Sequence, residues 1–85
     1  MKQFTYVIKD EIGIHARPAG LLVKEAKKYE STIEIAKGDK KAAATKLMAI
    51  MGMAVKCGDT VTVTAEGADE DAAAEGIKAF FEANL

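Results

Sequence analysis

Thr32-Ile33-Glu34-Ile35-Ala36 alternates polar with apolar residues, Lys37-Gly38-Asp39-Lys40 supplies turn chemistry, and Lys41-Ala42-Ala43-Ala44 returns as a second short strand. This is a β-hairpin, so the sheet it belongs to contains an antiparallel pair. Upstream, Phe4-Thr5-Tyr6-Val7-Ile8 is β-branched and aromatic and reads as a strand that ends before Asp10-Glu11-Ile12-Gly13. Downstream, Gly58-Asp59 marks a turn before Thr60-Val61-Thr62-Val63-Thr64-Ala65, where valines alternate with threonines in a half-buried strand that Gly67 ends.

Three helical stretches separate these strands. Pro18 has no N–H to donate but suits a first helical turn, which predicts a helix from Ala16 to Lys28 with Pro18, Leu22, Ala26 and Tyr29 on one face. Gly20 inside it costs about 1 kcal/mol relative to alanine, so either the backbone passes close to something there or a partner needs the space. Thr45-Lys46-Leu47-Met48-Ala49-Ile50-Met51-Gly52-Met53 predicts a short helix, with Thr45 placed to cap it and Gly52 to stop it. Asp69 is placed to cap a final helix in which Ala73, Ile77, Phe80, Phe81 and Asn84 recur at near-helical spacing. The order βαββαβα, with one hairpin and too few residues for two helix layers, predicts an α+β fold. It is a two-layer open-faced sandwich: a four-stranded antiparallel sheet with three helices on one face.

Eighty-five residues make a single domain, 1–85, because so short a chain buries only about 60–65% of its unfolded surface. With 49% hydrophobic and 29% charged residues it has the composition of a globular domain, not of a disordered or membrane chain. No apolar run approaches ~18 residues and the N-terminal stretch lacks signal-peptide character, so a cytoplasmic protein without membrane insertion is expected. A formal net charge of -1 offers no general attraction to nucleic acid, and the strands carry no basic and aromatic RNA-binding signature. Cys57 is the only cysteine, which excludes an internal disulfide and a cysteine metal cluster and suggests a structural thiol.

His15, the only histidine, lies in Gly13-Ile14-His15-Ala16-Arg17-Pro18-Ala19-Gly20, where a loop becomes a helix. An imidazole, with an ordinary pKa near ~6.5, is mostly neutral and nucleophilic at neutral pH. A helix N-terminus beside it offers unpaired N–H groups and the positive end of a dipole to an arriving dianion. Arg17 adds a planar cation with several donors. No second histidine or cysteine stands at metal-ligand spacing, so no metal and no cofactor is expected, and a serine or cysteine triad lacks its imidazole.

Gly13-Ile14-His15-Ala16-Arg17-Pro18-Ala19 resembles the active-site signature of the HPr family, the histidine-containing phosphocarriers of the bacterial phosphoenolpyruvate-dependent sugar phosphotransferase system. The resemblance spans the chain and includes its length, the element order, the Met51-Gly52-Met53 segment and Val61-Thr62-Val63-Thr64-Ala65-Glu66-Gly67 before an acidic helix start. It implies a carrier and not an enzyme with its own turnover. Enzyme I would pass a phosphoryl group to the Nδ1 atom of His15, and enzyme IIA domains would take it onward for sugar uptake. Arg17 would counter the phosphoryl charge, and the N–H groups of Ala16 and Arg17 would help hold it.

The resemblance also implies a docking face, made by Gly20, Leu21, Lys24 and Lys27 of the first helix and by Lys46, Leu47, Met48 and Met51 around the second. Methionine adapts its shape, which suits one surface that meets several partners, while Ile50 and Met53 are assigned to the core. Lysines on such a face speed encounter more than they tighten the complex. A monomer is expected. Many family members carry a serine, the target of a dedicated kinase, at the position of Lys46; lysine cannot form that phosphoester. The alternative reading is a regulatory module that controls a partner according to its phosphorylation state and carries little sugar flux.

Overall fold

The structure, a computed structural model, describes residues 1–85. Its elements are β1 (Lys2–Val7), α1 (Ala16–Ala26), β2 (Thr32–Lys37), β3 (Lys40–Ala43), α2 (Leu47–Gly52), β4 (Thr60–Glu66) and α3 (Glu70–Asn84). The four strands form one antiparallel sheet, as the hairpin and the element order predict, and their order in it is β1-β4-β2-β3. No helix is long and apolar enough to cross a membrane.

Register follows from the alternation. Phe4 pairs with Val63, Val63 with Ile35 and Ile35 with Ala42, so one inward row crosses all four strands. Tyr6 opposite Val61 and Ile33 opposite Ala65 extend the same face, while Thr5, Thr32, Glu34 and Thr60 point to solvent. A one-residue slip would exchange the two faces, so burial of the valines and isoleucines locks the pairing. On this face α3 lies over β1 and β4, α2 lies against β3, and α1 packs between the other two helices. Phe81 of α3 is fully buried and meets Phe4 and Tyr6 edge-on, with ring centroids 6.0 and 5.5 Å apart.

Local chemistry differs from the sequence reading at three helix ends. α1 stops at Ala26 and not at Lys28, leaving Lys27 as its C-cap. At α2 the N-cap is Lys46 in extended conformation with no side-chain cap, so Thr45 does not cap that helix. The helix does end at Gly52, with Met53 as its C-cap, and the chain then turns at Ala54, whose φ of 53° is left-handed. A Cβ is disfavoured there, so Ala54→Gly is expected to raise stability by about 0.5–1 kcal/mol in denaturant unfolding.

Asp69 is the N-cap residue of α3 by position, yet its side chain makes no cap bond. Its carboxylate instead accepts the N–H groups of Glu30 and Ser31, each at 2.9 Å, and the Ser31 hydroxyl. It thereby ties the α1–β2 connection to the start of α3. The Ser31 hydroxyl, followed by the Glu30 N–H, holds the Asp69 carboxyl below its usual range. A lowered native pKa means stability that is present above the unfolded value, near ~3.9, and is lost as pH falls through the native one. Asp69→Asn is therefore expected to lower Tm at pH 7 and to show a smaller further drop between pH 5 and pH 2 than the wild type.

Candidate functional site

The loop that carries His15 is built by Gly13. Its φ of +84° is left-handed, and a Cβ placed there would lie 2.4 Å from the carbonyl oxygen of Val55 and 2.7 Å from Lys56 Cα. Only glycine permits both the backbone turn and this close approach. The same Val55 carbonyl accepts the Ile14 N–H at 3.0 Å, and the Ile14 side chain is buried. The residue before His15 is thus clamped to the connection between α2 and β4.

His15 is the N-cap of α1, with φ -116° and ψ -172° and no side-chain cap bond. Its carbonyl accepts the Ala19 N–H at 2.9 Å, which starts the helix. Pro18 has no N–H, and the N–H groups of Ala16 and Arg17 make no hydrogen bond within the protein. Pro18 and Ala19 are buried, which anchors the first turn in the core while Ala16 and Arg17 stay exposed. Two backbone donors and a guanidinium therefore stand beside a half-buried imidazole that makes no hydrogen bond of its own. Such an arrangement can receive a dianion.

These groups share one open depression, lined by Asp10, His15, Arg17, Pro18, Leu21 and Asn84. Asp10 and Asn84 are the members that sequence reasoning missed. Asp10 reads as an ordinary loop carboxylate after β1, and Asn84 as one more position along the packed side of α3. In the structure Asn84 is exposed, with its side-chain amide donating to the Phe80 carbonyl at 3.0 Å. No local signal announces it, because the end of α3 reaches this depression only through the tertiary fold.

Those of the expected docking residues that lie on α1 adjoin this depression. Arg17 also borders a shallow groove with Gly20, Leu21, Val23, Lys24 and Lys27. A Cβ at Gly20 would meet nothing within 4 Å, so no close approach within the protein accounts for that glycine. Leu21, Leu47, Met48 and Met51 are exposed, Met48 at 77%, whereas Ile50 and Met53 are buried as assigned. Lys46 is exposed at the start of α2. Cys57 is an exposed free thiol at the end of a loop, not a buried packing residue.

Comparison with known proteins agrees with this geometry. A family model described as the PTS HPr component phosphorylation site matches residues 2–83. The phosphocarrier protein HPr of Mycoplasma capricolum subsp. capricolum is 42% identical over 78 residues, which cover 92% of this chain and 88% of that protein. The crystal structure of HPr-C-His from Thermoanaerobacter tengcongensis superposes with a TM-score of 0.93 at 41% identity, covering 98% of this chain and 93% of that one. A further crystal structure, of the HPr dimer from the same organism, gives a TM-score of 0.77 at 41% identity, with 98% and 95% covered.

Proposed function

We propose, because this chain belongs to the HPr family of phosphotransferase-system phosphocarriers, that His15 accepts a phosphoryl group from phosphorylated enzyme I and passes it to enzyme IIA domains. The observation that carries the reading is the shared depression of His15 and Arg17 at a helix start with two unused N–H donors. In the forward step the lone pair of neutral His15 Nδ1 attacks phosphorus in line with the departing donor nitrogen. One P–N bond forms as the other breaks, and the donor imidazole leaves. Arg17 and the N–H groups of Ala16 and Arg17 meet the charge on the phosphoryl oxygens. The onward step is the same displacement in reverse, with His15 as the leaving group.

A P–N bond suits a carrier because it stays labile toward the next acceptor. The exposed apolar residues Leu47, Met48 and Met51, with Gly20, Leu21, Lys24, Lys27 and Lys46, would form the face that both partners use in turn. We take the working state to be a monomer, which leaves that face open to each of them. Incubation with phosphoenolpyruvate and enzyme I is expected to give one acid-labile, base-stable phosphoryl group that maps to His15. A group mapping elsewhere overturns the assignment. Arg17→Ala is expected to slow transfer roughly tenfold or more with Tm unchanged, since the guanidinium is exposed and makes no ion pair.

A further inference from the structure

Asp10 places a carboxylate in the depression that contains His15 and Arg17, and the protein holds it there. Its N–H donates to the main-chain oxygen of Leu85 at 2.8 Å, its carbonyl accepts the Gly13 N–H at 3.0 Å, and its Oδ1 accepts the Ile12 N–H at 2.9 Å. The ion pairs of the protein engage Glu25, Asp59, Glu70 and Asp71, so no cation neutralises Asp10. A fixed, half-buried acidic residue therefore borders the place where a phosphoryl dianion would sit.

We propose that Asp10 is an electrostatic counterweight that raises the free energy of the phosphorylated carrier and so favours release of the phosphoryl group to the next acceptor. The proposal rests on the reading of His15 as the phosphoacceptor. Arg17 and the free N–H groups all favour the phosphorylated state, and a site made only of attractions would hold its cargo. Asp10 acts in the opposite sense on that state, because its repulsion appears only once the dianion is in place. Unphosphorylated, the site holds no dianion for the carboxylate to repel.

The test is a competition at equilibrium. Unlabelled wild type and ¹⁵N-labelled Asp10→Asn are mixed in equal amounts with a trace of enzyme I and a limiting quantity of phosphoenolpyruvate. Enzyme I moves the phosphoryl group back and forth, breaking a P–N bond on one carrier and forming one on the other. A catalyst sets the rate of this exchange and not its ratio. Asparagine keeps the Oδ1 acceptor for the Ile12 N–H and removes only the charge. Mass spectrometry is expected to find about three to ten times more phosphoryl group on the variant at low salt, falling toward parity near ~1 M salt, where the screening length is about 3 Å. Equal shares at low salt overturn the proposal, as does an excess that persists unchanged at high salt, which would mark a structural effect. A phosphoryl group on neither species overturns the phosphocarrier reading together with this proposal.

Discussion

The His15→Ala variant is expected to take up no phosphoryl group from phosphoenolpyruvate and enzyme I, while melting within a degree or two of the wild type. The chemical half follows from composition, since no second histidine exists to substitute. The structural half follows from what the imidazole does not do. It makes no hydrogen bond and caps nothing, and the bond that starts α1 comes from the main-chain carbonyl, which alanine retains. Alanine at an N-cap usually costs about 0.5–2 kcal/mol because a side-chain acceptor is lost. No such acceptor is in use at this position. Mass spectrometry and thermal melting on one sample check both halves. A phosphorylated variant would remove His15 as the acceptor, and a large fall in Tm would mean that the imidazole is a structural group.

Gly13→Ala is expected to fail in the opposite way, through the fold. The left-handed backbone at φ +84° costs about 1–2 kcal/mol for a residue with a Cβ. The Cβ would also collide with the Val55 carbonyl and with Lys56 Cα, which are backbone and cannot swing aside. Relief requires the α2–β4 connection to retreat, and that breaks the Ile14–Val55 bond seating the His15 loop. A total loss on the order of 3 kcal/mol is expected in denaturant unfolding. That is a large share of the roughly 4–13 kcal/mol available to a domain of this size. Transfer to the remaining folded molecules should slow as well, because the loop before His15 is displaced. A variant as stable as the wild type would show that the loop adapts without cost.

The sheet was legible because β2 and β4 alternate strictly: threonine and glutamate against isoleucine and valine leaves one register that buries Ile33, Ile35, Val61 and Val63. The centre of the site was legible for a similar reason, since His15, Arg17 and Pro18 are neighbours whose local geometry is set by a single helix start. Helix ends were less so. Gly52 does end α2, but the left-handed position that glycine favours falls two residues later, on Ala54. Asp69 has the chemistry of a cap, yet the tertiary fold brings the N–H groups of Glu30 and Ser31 within reach, and these outcompete its own helix. Asn84 enters the site by the same kind of long-range placement, whereas Asp10 belongs to the His15 loop and is bonded to Ile12 and Gly13 within it.

The inward row Phe4, Val63, Ile35, Ala42 runs from an aromatic ring at one sheet edge to a methyl group at the other. The side chains of that row therefore shrink from β1, which packs under α3, to β3, which packs against α2. Ala42 and Ala44, both buried, offer only methyl groups where α2 lies against β3, so a larger side chain there would push α2 outward. Enlarging either alanine would therefore move the exposed Leu47, Met48 and Met51 without touching them. On the proposed docking face, a partner that touches His15 and α2 together would thus depend on two alanines it never meets.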